Sequence, residues 1–283
     1  MAIAIVTDST ADLPAEMAAR LSVHVVSLNV IFGDQTLREG IEIGQEEFYR
    51  RLQTSSTLPT TAAPAIGDFL RAYEAALAGG CDGILSLHLS SKLSATYSNA
   101  VQAATMLESS ISIEVVDSLT GSLGLGILVI RAAEAAQAGA TLPALAALVA
   151  DMIPRLRVAF VLDTLENLRR GGRIGRANAF LGHLLSIKPI LSIRDGEVHP
   201  EERVRSRSAA LDRLFQMMAA ESNPEAVAVA HNTVPGEAAA MRDRLAAVYP
   251  GVPLYETRIG PVLGVHTGSG TIGVGVLRRK GAA

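Results

Sequence analysis

Carboxylate and hydroxyl side chains crowd the segment that follows the first apolar run of the chain. Residues 2–6 read AIAIV, and TDSTADLP at 7–14 comes directly after them. If residues 2–6 form a strand, Asp8 and Ser9 lie at its carboxyl end, where open α/β sheets bind ligands. The carboxylates suggest acid–base chemistry, but the sequence offers no neighbouring nucleophile or orienting group. We therefore assign this loop to hydrogen bonding and pocket closure, while Asp12 is equally consistent with a helix N-cap.

Hydroxyl and imidazole groups mark later positions that suit an anion. Ser90, Ser91 and Ser94 crowd the predicted start of a helix, where hydroxyls cap the backbone and free amides attract anions. Thr61, in PTTAAP, is either a ligand of such an anion or an ordinary loop or capping hydroxyl. His266 stands in the glycine-rich segment GVHTGSG, which we predict to be a turn between strands. A lone histidine is usually structural, but its imidazole is also a suitable donor to an anion.

A basic segment precedes the apolar stretch AFLGHLLSI. It contains four arginines around Gly171-Gly172: Arg169, Arg170, Arg173 and Arg176. One interpretation is a solvated loop, and the other is a docking surface for a partner or for anionic lipid headgroups. Arg203 and Arg205 extend this surface if the second interpretation holds.

The polar segments alternate with apolar runs that predict the elements holding them. In the first half of the chain, helical patterns separate four predicted strands, at 2–6, 23–32, 81–87 and 111–116. Strands that alternate with helices are typical of a largely parallel sheet. We expect the hydroxyl and carboxylate groups to lie in the loops of such a sheet.

The pattern changes after a helical segment at 142–153. Asp195-Gly196 separates two extended runs and predicts a β-hairpin, and residues 253–275 predict two or three short strands broken by glycines. We predict an α/β protein of two domains. The first, 1–155, is mainly a parallel sheet with helices, and the second, 156–283, is a smaller mixed α/β domain.

Composition limits the classes of function. Hydrophobic residues make up 49% of the 283 residues and aromatics 4%, an aliphatic interior that suits helices on sheets and equally an enclosed alkyl chain. The net charge of −3 gives no basic field, so we exclude nucleic acid as a partner. The single cysteine, Cys81, is typical of a cytoplasmic protein. Asp8 and Asp12 interrupt the first apolar stretch, so we expect no signal peptide. No run of the sequence approaches ~18 uninterrupted apolar residues, so we also expect no membrane-spanning helix.

Seven motifs, in this order and spacing, resemble those of the DegV family. They extend over nearly the whole chain: TDSTADLP at 7–14, PTTAAP at 59–64, LSSKLSATY at 89–97, VVDS at 115–118, LDTLENLRRGGRIG at 162–175, KPIL at 188–191 and GPVLGVHTGSGTIG at 260–273. The resemblance implies two α/β domains with a fatty acid between or within them. It also implies a role as the acyl-binding subunit (FakB) of bacterial fatty acid kinase, whose separate catalytic subunit (FakA-like) phosphorylates the carboxylate.

The resemblance implies that Thr61, Ser94 and His266 hold the fatty-acid carboxylate. The position and chemistry of other residues suggest further roles. Five further residues are expected to close the pocket: Asp8, Ser9, Thr60, Ala95 and Thr267. Four arginines are expected to contact the kinase or, transiently, a membrane: Arg170, Arg173, Arg203 and Arg205. Segments 160–165, 179–193 and 262–265 are expected to form the tunnel walls, with no cofactor or metal and no catalytic residue.

The chain departs from the commoner family pattern near the expected head-group site. Ala62 and Ala63 replace a usual Ser-Gln pair, Ala95 replaces a glycine, and Ser269 replaces a proline. The first change removes two polar side chains from this neighbourhood, and the second adds a methyl group.

Two rival functions remain open from the sequence. One is an enzyme acting on a small phosphorylated or carbonyl metabolite, although GxGxxG after the first strand, GxxxxGK[ST], GxSxG and HExxH are all absent from the sequence. The other is a carrier of a different hydrophobic acid.

Overall fold

Two β-sheets pack on opposite sides of one buried helix in the computed structural model of this chain. The structure describes residues 2–55, 57–108, 111–183 and 187–281, with the backbone alone for 181–183. The predicted tunnel segment 179–193 therefore lies partly outside the described residues.

The first sheet contains four parallel strands in the order β2-β1-β6-β7. These strands are β1 (Ile3–Asp8), β2 (Val23–Val26), β6 (Gly83–His88) and β7 (Ser112–Asp117). The helices of this half are α1 (Ala15–Arg20), α2 (Gln45–Thr54), α3 (Ile66–Ala78), α4 (Thr96–Met106), α5 (Leu123–Gln137) and α6 (Leu142–Met152). Two 3₁₀ turns complete it, Ser9–Ala11 and Ile153–Arg155.

Apolar side chains on both faces of the parallel sheet explain why helices cover it on both sides. Val6 and Ile84 pack against α3 and α4 on one face, whereas Ile5 and Leu85 pack against α5 and α6 on the other. Successive strand residues point to opposite faces, so a strand that is apolar throughout requires two helical layers.

A small antiparallel sheet lies beside this unit in the order β4-β3-β5. Its strands are β3 (Asn29–Phe32), β4 (Gln35–Arg38) and β5 (Thr60–Ala62). The prediction of one strand over 23–32 was therefore wrong. The apolar run divides into β2, which joins the parallel sheet, and β3, which pairs with two strands that the sequence analysis missed. Apolar content alone does not reveal where a chain leaves one sheet for another.

The second large sheet is mixed and contains six strands in the order β10-β9-β8-β13-β11-β12. Its strands are β8 (Leu156–Val161), β9 (Lys188–Arg194), β10 (Glu197–Val204), β11 (Pro224–His231), β12 (Leu254–Arg258) and β13 (Ile272–Arg278). The accompanying helices are α7 (Glu166–Arg170), α8 (Arg207–Ala219), α9 (Pro235–Val248) and α10 (Pro261–Thr267), with a 3₁₀ segment at Gly175–His183. Strands β11 and β12 are parallel, and the other neighbouring strands are antiparallel.

The predicted hairpin is confirmed by the pairing of β9 with β10. Asp195 has a φ of 49° and Gly196 a φ of 82°, the left-handed pair that a two-residue hairpin turn favours. The prediction of only short strands over 253–275 was wrong, because α10 lies between β12 and β13. Pro261 at the first helical position, after Gly260, is the start signal that the sequence analysis did not use.

Helix α5 forms the centre of the molecule. Most of its side chains are buried, and the same core cluster includes Leu87 of the parallel sheet and Val158 of the mixed sheet. Helices α8 and α9 cover the outer face of the mixed sheet. Among the described residues, no helix combines the length and apolar character needed to cross a membrane. The predicted α/β fold class is confirmed, and the domain boundary at residue 155 stays a prediction.

Candidate functional site

A cavity of about 220 Å³ lies between the mixed sheet and the loops at the carboxyl edge of the parallel sheet. Strands β8, β9, β10 and β13 form one wall, and α10, the start of α5 and the loops after β5 and β6 form the others. Its apolar lining includes Leu28, Leu93, Leu123, Val158, Phe160 and Ile193. Apolar side chains therefore form most of the surface that a ligand in this cavity would contact.

A chain of contacts links the polar side chains of this cavity. Thr61 Oγ1 lies 2.9 Å from His266 Nε2. The His266 ring rests against the backbone of Gly171, where a Cβ atom would collide with Nδ1. Arg173 donates from Nη1 to Gly171 O (2.7 Å) and from Nε to Leu93 O (3.0 Å), next to Ser94. The structure thus brings Thr61, Ser94 and His266 to one cavity, and their role as ligands of a carboxylate stays a prediction.

The imidazole of His266 is uncharged at neutral pH. Burial, reinforced by the positive charge of Arg173, lowers the pKa of His266 to about 4. A neutral ring with its proton on Nε2 donates to Thr61 Oγ1 and leaves the Thr61 hydroxyl proton free for a ligand. His266 Nδ1 is buried and has no hydrogen-bond partner within the described part of the chain. The pair therefore suits hydrogen bonding to an anion better than ion pairing.

Ser94 precedes helix α4 rather than lying within it. The helix begins at Thr96, whose backbone N–H donates to Ser94 Oγ (3.3 Å) and whose hydroxyl lies 2.8 Å from the same atom. Ser94 thus supports the first turn of α4 and also lines the cavity. Asn99 Nδ2 donates to Pro64 O (2.8 Å), which ties the segment containing Thr61 to this helix.

Ala95 and Thr267, both expected to close the pocket, line the cavity. Asp8, Ser9 and Thr60 do not line it, and their expected part in closing the pocket stays a prediction. Thr60 is exposed because it neighbours Thr61 on β5, and adjacent strand residues point to opposite faces. Ser9 Oγ instead accepts a hydrogen bond from the Leu28 N–H (3.0 Å).

Asp8 belongs to a buried network that the sequence analysis missed. Its Oδ2 lies 3.0 Å from His88 Nδ1, His88 Nε2 lies 2.6 Å from Ser86 Oγ, and Ser86 Oγ lies 3.0 Å from the Tyr73 hydroxyl. The order of groups matches a Ser-His-Asp triad. However, all four side chains have zero exposure, so no substrate reaches Ser86 in this conformation. The network stabilises the ends of β1 and β6, where Asp8 Oδ2 also accepts from the Leu89 N–H.

Asp12 does not cap helix α1, contrary to one of its two predicted roles. The residue at that position is Pro14, and Asp12 instead ends the preceding 3₁₀ turn with a φ of 51°. Its carboxylate accepts hydrogen bonds from Ser122 Oγ (2.6 Å) and the Gly260 N–H (2.8 Å). Asp12 therefore connects the first loop to α5 and α10.

The four arginines of the expected contact surface occupy different positions. Arg170 is exposed and pairs with Glu166, and Arg205 is exposed. Arg203 stacks on the Phe180 ring, with 4.4 Å between the guanidinium carbon and the ring centroid. Arg173 lines the cavity, so its place is closer to the head-group residues than the sequence analysis expected.

The sequence of this chain matches a known protein family and several of its members. The family model described as "Uncharacterised protein, DegV family" matches residues 2–279. The DegV protein of Bacillus subtilis is 37% identical over 278 residues, covering 97% of this chain and 98% of that protein.

Two solved structures share the fold over almost their whole lengths. The Bacillus subtilis DegV structure, described as that of a fatty acid binding protein, has a TM-score of 0.90 at 36% identity and covers 98% of this chain and 100% of its own. A DegV family protein from Thermus thermophilus, whose structure is described by its fatty acid binding, has a TM-score of 0.88 at 35% identity, with coverage of 99% and 100%. This chain is similar to both.

Proposed function

This chain belongs to the DegV family, and we propose that it is a non-catalytic carrier that buries one long-chain fatty acid in the cavity between its two large sheets. The observation that carries the proposal is the cavity itself, an apolar space with hydroxyl and imidazole groups gathered on part of its lining. The Bacillus subtilis and Thermus thermophilus relatives, both described as binding fatty acids, support it.

The lining of the cavity suits an acyl chain. Its mostly apolar surface allows the methylenes of a fatty acid to leave water. Burying about 14 methylenes contributes on the order of 11 kcal/mol, and association costs offset roughly 4 kcal/mol or more of this. The tail therefore supplies most of the affinity, and the head group sets the orientation.

Thr61, Ser94 and His266 are the proposed ligands of the carboxylate. An ionised carboxylate that leaves water without donors is prohibitively unfavourable, so the polar groups of the cavity are the place for it. Ala62, Ala63 and Ala95 line the same cavity and offer no side-chain donor. The carboxylate consequently depends on few side chains, and Arg173, which lines the same cavity, adds a positive charge.

We further propose a role in which this carrier presents the carboxylate to a separate, FakA-like kinase subunit in the cytoplasm. Arg170, Arg203 and Arg205 are exposed and form the proposed contact surface for the kinase and, transiently, for a membrane. The lone thiol of Cys81 supports a cytoplasmic location.

Extraction of the purified protein tests the carrier proposal. Protein expressed in a bacterial host and purified without detergent is extracted with organic solvent, and the extract is analysed by mass spectrometry. We expect about one fatty acid per chain, because the cavity accommodates one acyl chain. An extract rich in another hydrophobic acid would support the rival carrier, and an extract without any lipid would contradict the proposal.

A further inference from the structure

Helix α10 forms part of the cavity wall, yet it has only seven residues. Val262, Leu263, His266 and Thr267 all face the cavity from this helix. A helix of two turns is not stable by itself, because few internal hydrogen bonds offset the cost of nucleation. Contacts with neighbouring elements must therefore fix the position of α10, and with it that of His266.

The N-terminus of α10 is capped by two carboxylates from distant parts of the chain. The first amides of a helix lack partners within the helix, Gly260 has no side chain to cap them, and Pro261 has no N–H. The Gly260 N–H donates to Asp12 Oδ1 (2.8 Å), and the Val262 N–H donates to Glu39 Oε1 (2.8 Å). A Cβ atom at position 260 would collide with Glu39 Oε1, so the glycine allows this close approach.

Both carboxyl groups are buried, which makes their charged forms unfavourable. Asp12 is 7% exposed and Glu39 is 5% exposed, and neither forms an ion pair with any residue that the structure describes. Burial raises the pKa of Glu39 to about 7 and raises the pKa of Asp12 well above its usual range, with the charge of Glu39 as the next cause for Asp12. The hydroxyls of Ser122 and Ser9 partly offset this cost for Asp12 and Glu39, respectively. The amides of α10 offset a further part of it, because a helix N-terminus favours negative charge.

The other parts of α10 are also held tightly, so a shift at one end is transmitted to the other. Gly264 packs against α2, where an added Cβ would lie 2.7 Å from Phe48 Cε1. Asn167 Nδ2 donates to Val265 O (3.2 Å). The His266 ring lies between Thr61 and the Gly171 backbone, with little room to adjust.

We propose that Asp12 and Glu39 are positioning residues for the head-group site, which act by holding the first amides of α10 and thereby setting the position of His266. This inference rests on the proposed function, since its effect is measured on the binding of a fatty-acid carboxylate. Neither residue lines the acyl cavity, so neither touches the ligand directly.

A series of substitutions at Glu39 separates the hydrogen bond to α10 from the negative charge. Glu39→Gln keeps a hydrogen-bond acceptor for the Val262 N–H. Glu39→Asp shortens the side chain by one methylene and moves the acceptor away from this N–H, and Glu39→Ala removes the acceptor. We expect the Glu39→Gln variant to bind palmitate like the wild type. The Glu39→Asp and Glu39→Ala variants should bind palmitate on the order of tenfold more weakly, an indirect coupling of ordinary size. The affinity of these variants for hexadecanol should fall less, because the alcohol places no carboxylate beside His266.

The signals of the His266 imidazole in ¹⁵N-histidine NMR spectra supply a second measurement that does not depend on affinity. We expect them to shift in Glu39→Asp and to stay unchanged in Glu39→Gln. Glu225→Gln is the matched control, because Glu225 is a largely buried carboxylate with two arginine partners far from α10. It should alter neither palmitate binding nor the His266 signals.

The outcomes distinguish this inference from the proposed function. If the wild type binds no fatty acid, the proposed function fails. If the wild type binds palmitate while Asp and Ala at position 39 bind equally well with unshifted His266 signals, the positioning role is overturned. It is also overturned if Gln weakens binding as much as Ala, because the charge and not the hydrogen bond would then matter. Glu39→Asp keeps the test informative if Glu39→Ala does not fold.

Discussion

The head-group residues of this chain are connected to one another before any ligand arrives. Thr61 and His266 share a hydrogen bond, and burial, reinforced by the charge of Arg173, lowers the pKa of His266 and keeps its ring neutral. The hydroxyls of Thr61 and Ser94 are small groups that a bound carboxylate can recruit as donors without large movements. We therefore expect substitutions of these residues to change the affinity for charged ligands more than the affinity for uncharged ones.

Removing one donor should affect a fatty acid more than a fatty alcohol of equal length. Ser94→Ala, Thr61→Ala or His266→Ala leaves a buried carboxylate short of a hydrogen bond, at a cost of about 1–3 kcal/mol, or roughly ten- to a hundredfold in the dissociation constant. The alcohol carries no charge, so its dissociation constant should change much less. Both constants are measured by calorimetric titration of delipidated protein.

Ser98→Ala is a matched control for the Ser94 substitution. Ser98 lies on the first turn of the same helix, is exposed, and donates to Ala95 O without lining the cavity. It should bind both ligands like the wild type. Equal losses for acid and alcohol in the cavity variants would show that these residues shape the pocket and do not bind the carboxylate.

The sequence predicted some of these residues and missed others for physical reasons. Thr61, Ser94 and His266 came from the family resemblance, because a lone hydroxyl or histidine carries no signal of its own. Asp12 and Glu39 were missed as a pair because 27 positions separate them in the chain. Each becomes a capping group only when α10 folds between them, and this requires tertiary structure.

At the scale of elements, the sequence predicted a turn correctly where the backbone conformation restricts which residues are allowed. The Asp195-Gly196 turn predicted the β9–β10 hairpin, because few residues adopt two successive positive φ angles. The prediction of a single strand over 23–32 was wrong, because the division between β2 and β3 depends on which sheet each half joins. The prediction missed helix α10 because it did not use the local start signal of Pro261 after Gly260. The carboxylates that cap this helix lie far away in the sequence and gave no further signal.

Helix α7 carries the prediction about the kinase partner. Arg170 is exposed on this helix, paired with Glu166, and does not line the cavity. Arg170→Ala should leave fatty-acid binding nearly unchanged but lower the rate of acyl-phosphate formation when a cognate kinase subunit and ATP are supplied. Radiolabelled ATP with quantification of acyl phosphate provides the rate.

An arginine of similar exposure on another surface controls for loss of charge alone. Arg242 lies on α9 and pairs with Asp243 and Glu256, so Arg242→Ala should affect neither binding nor phosphorylation. Equal losses of binding and phosphorylation in Arg170→Ala would place Arg170 in the pocket and contradict the docking role. Arg173 is unsuitable for this test because it lines the cavity.

At the scale of the whole molecule, the cavity exists because two sheets share one buried helix. The sequence predicted a parallel sheet followed by a mixed α/β part, since strand and helix patterns are local. It could not predict that α5 packs against both sheets, because aliphatic residues on every face of a helix fit any buried position. For the same reason, tunnel and core residues were indistinguishable: Phe160 lines the cavity, whereas Leu162 is fully buried in the cluster against which Phe160 packs.

The most direct test of the account is a titration of delipidated protein with saturated fatty acids of increasing length. If the cavity holds the tail, each added methylene should tighten binding about fourfold, the equivalent of about 0.8 kcal/mol, until the cavity is full. We predict saturation at one acid per chain and an affinity that levels off once further methylenes no longer reach the apolar lining of the cavity. Binding that does not saturate, or an affinity that is independent of chain length, would contradict it.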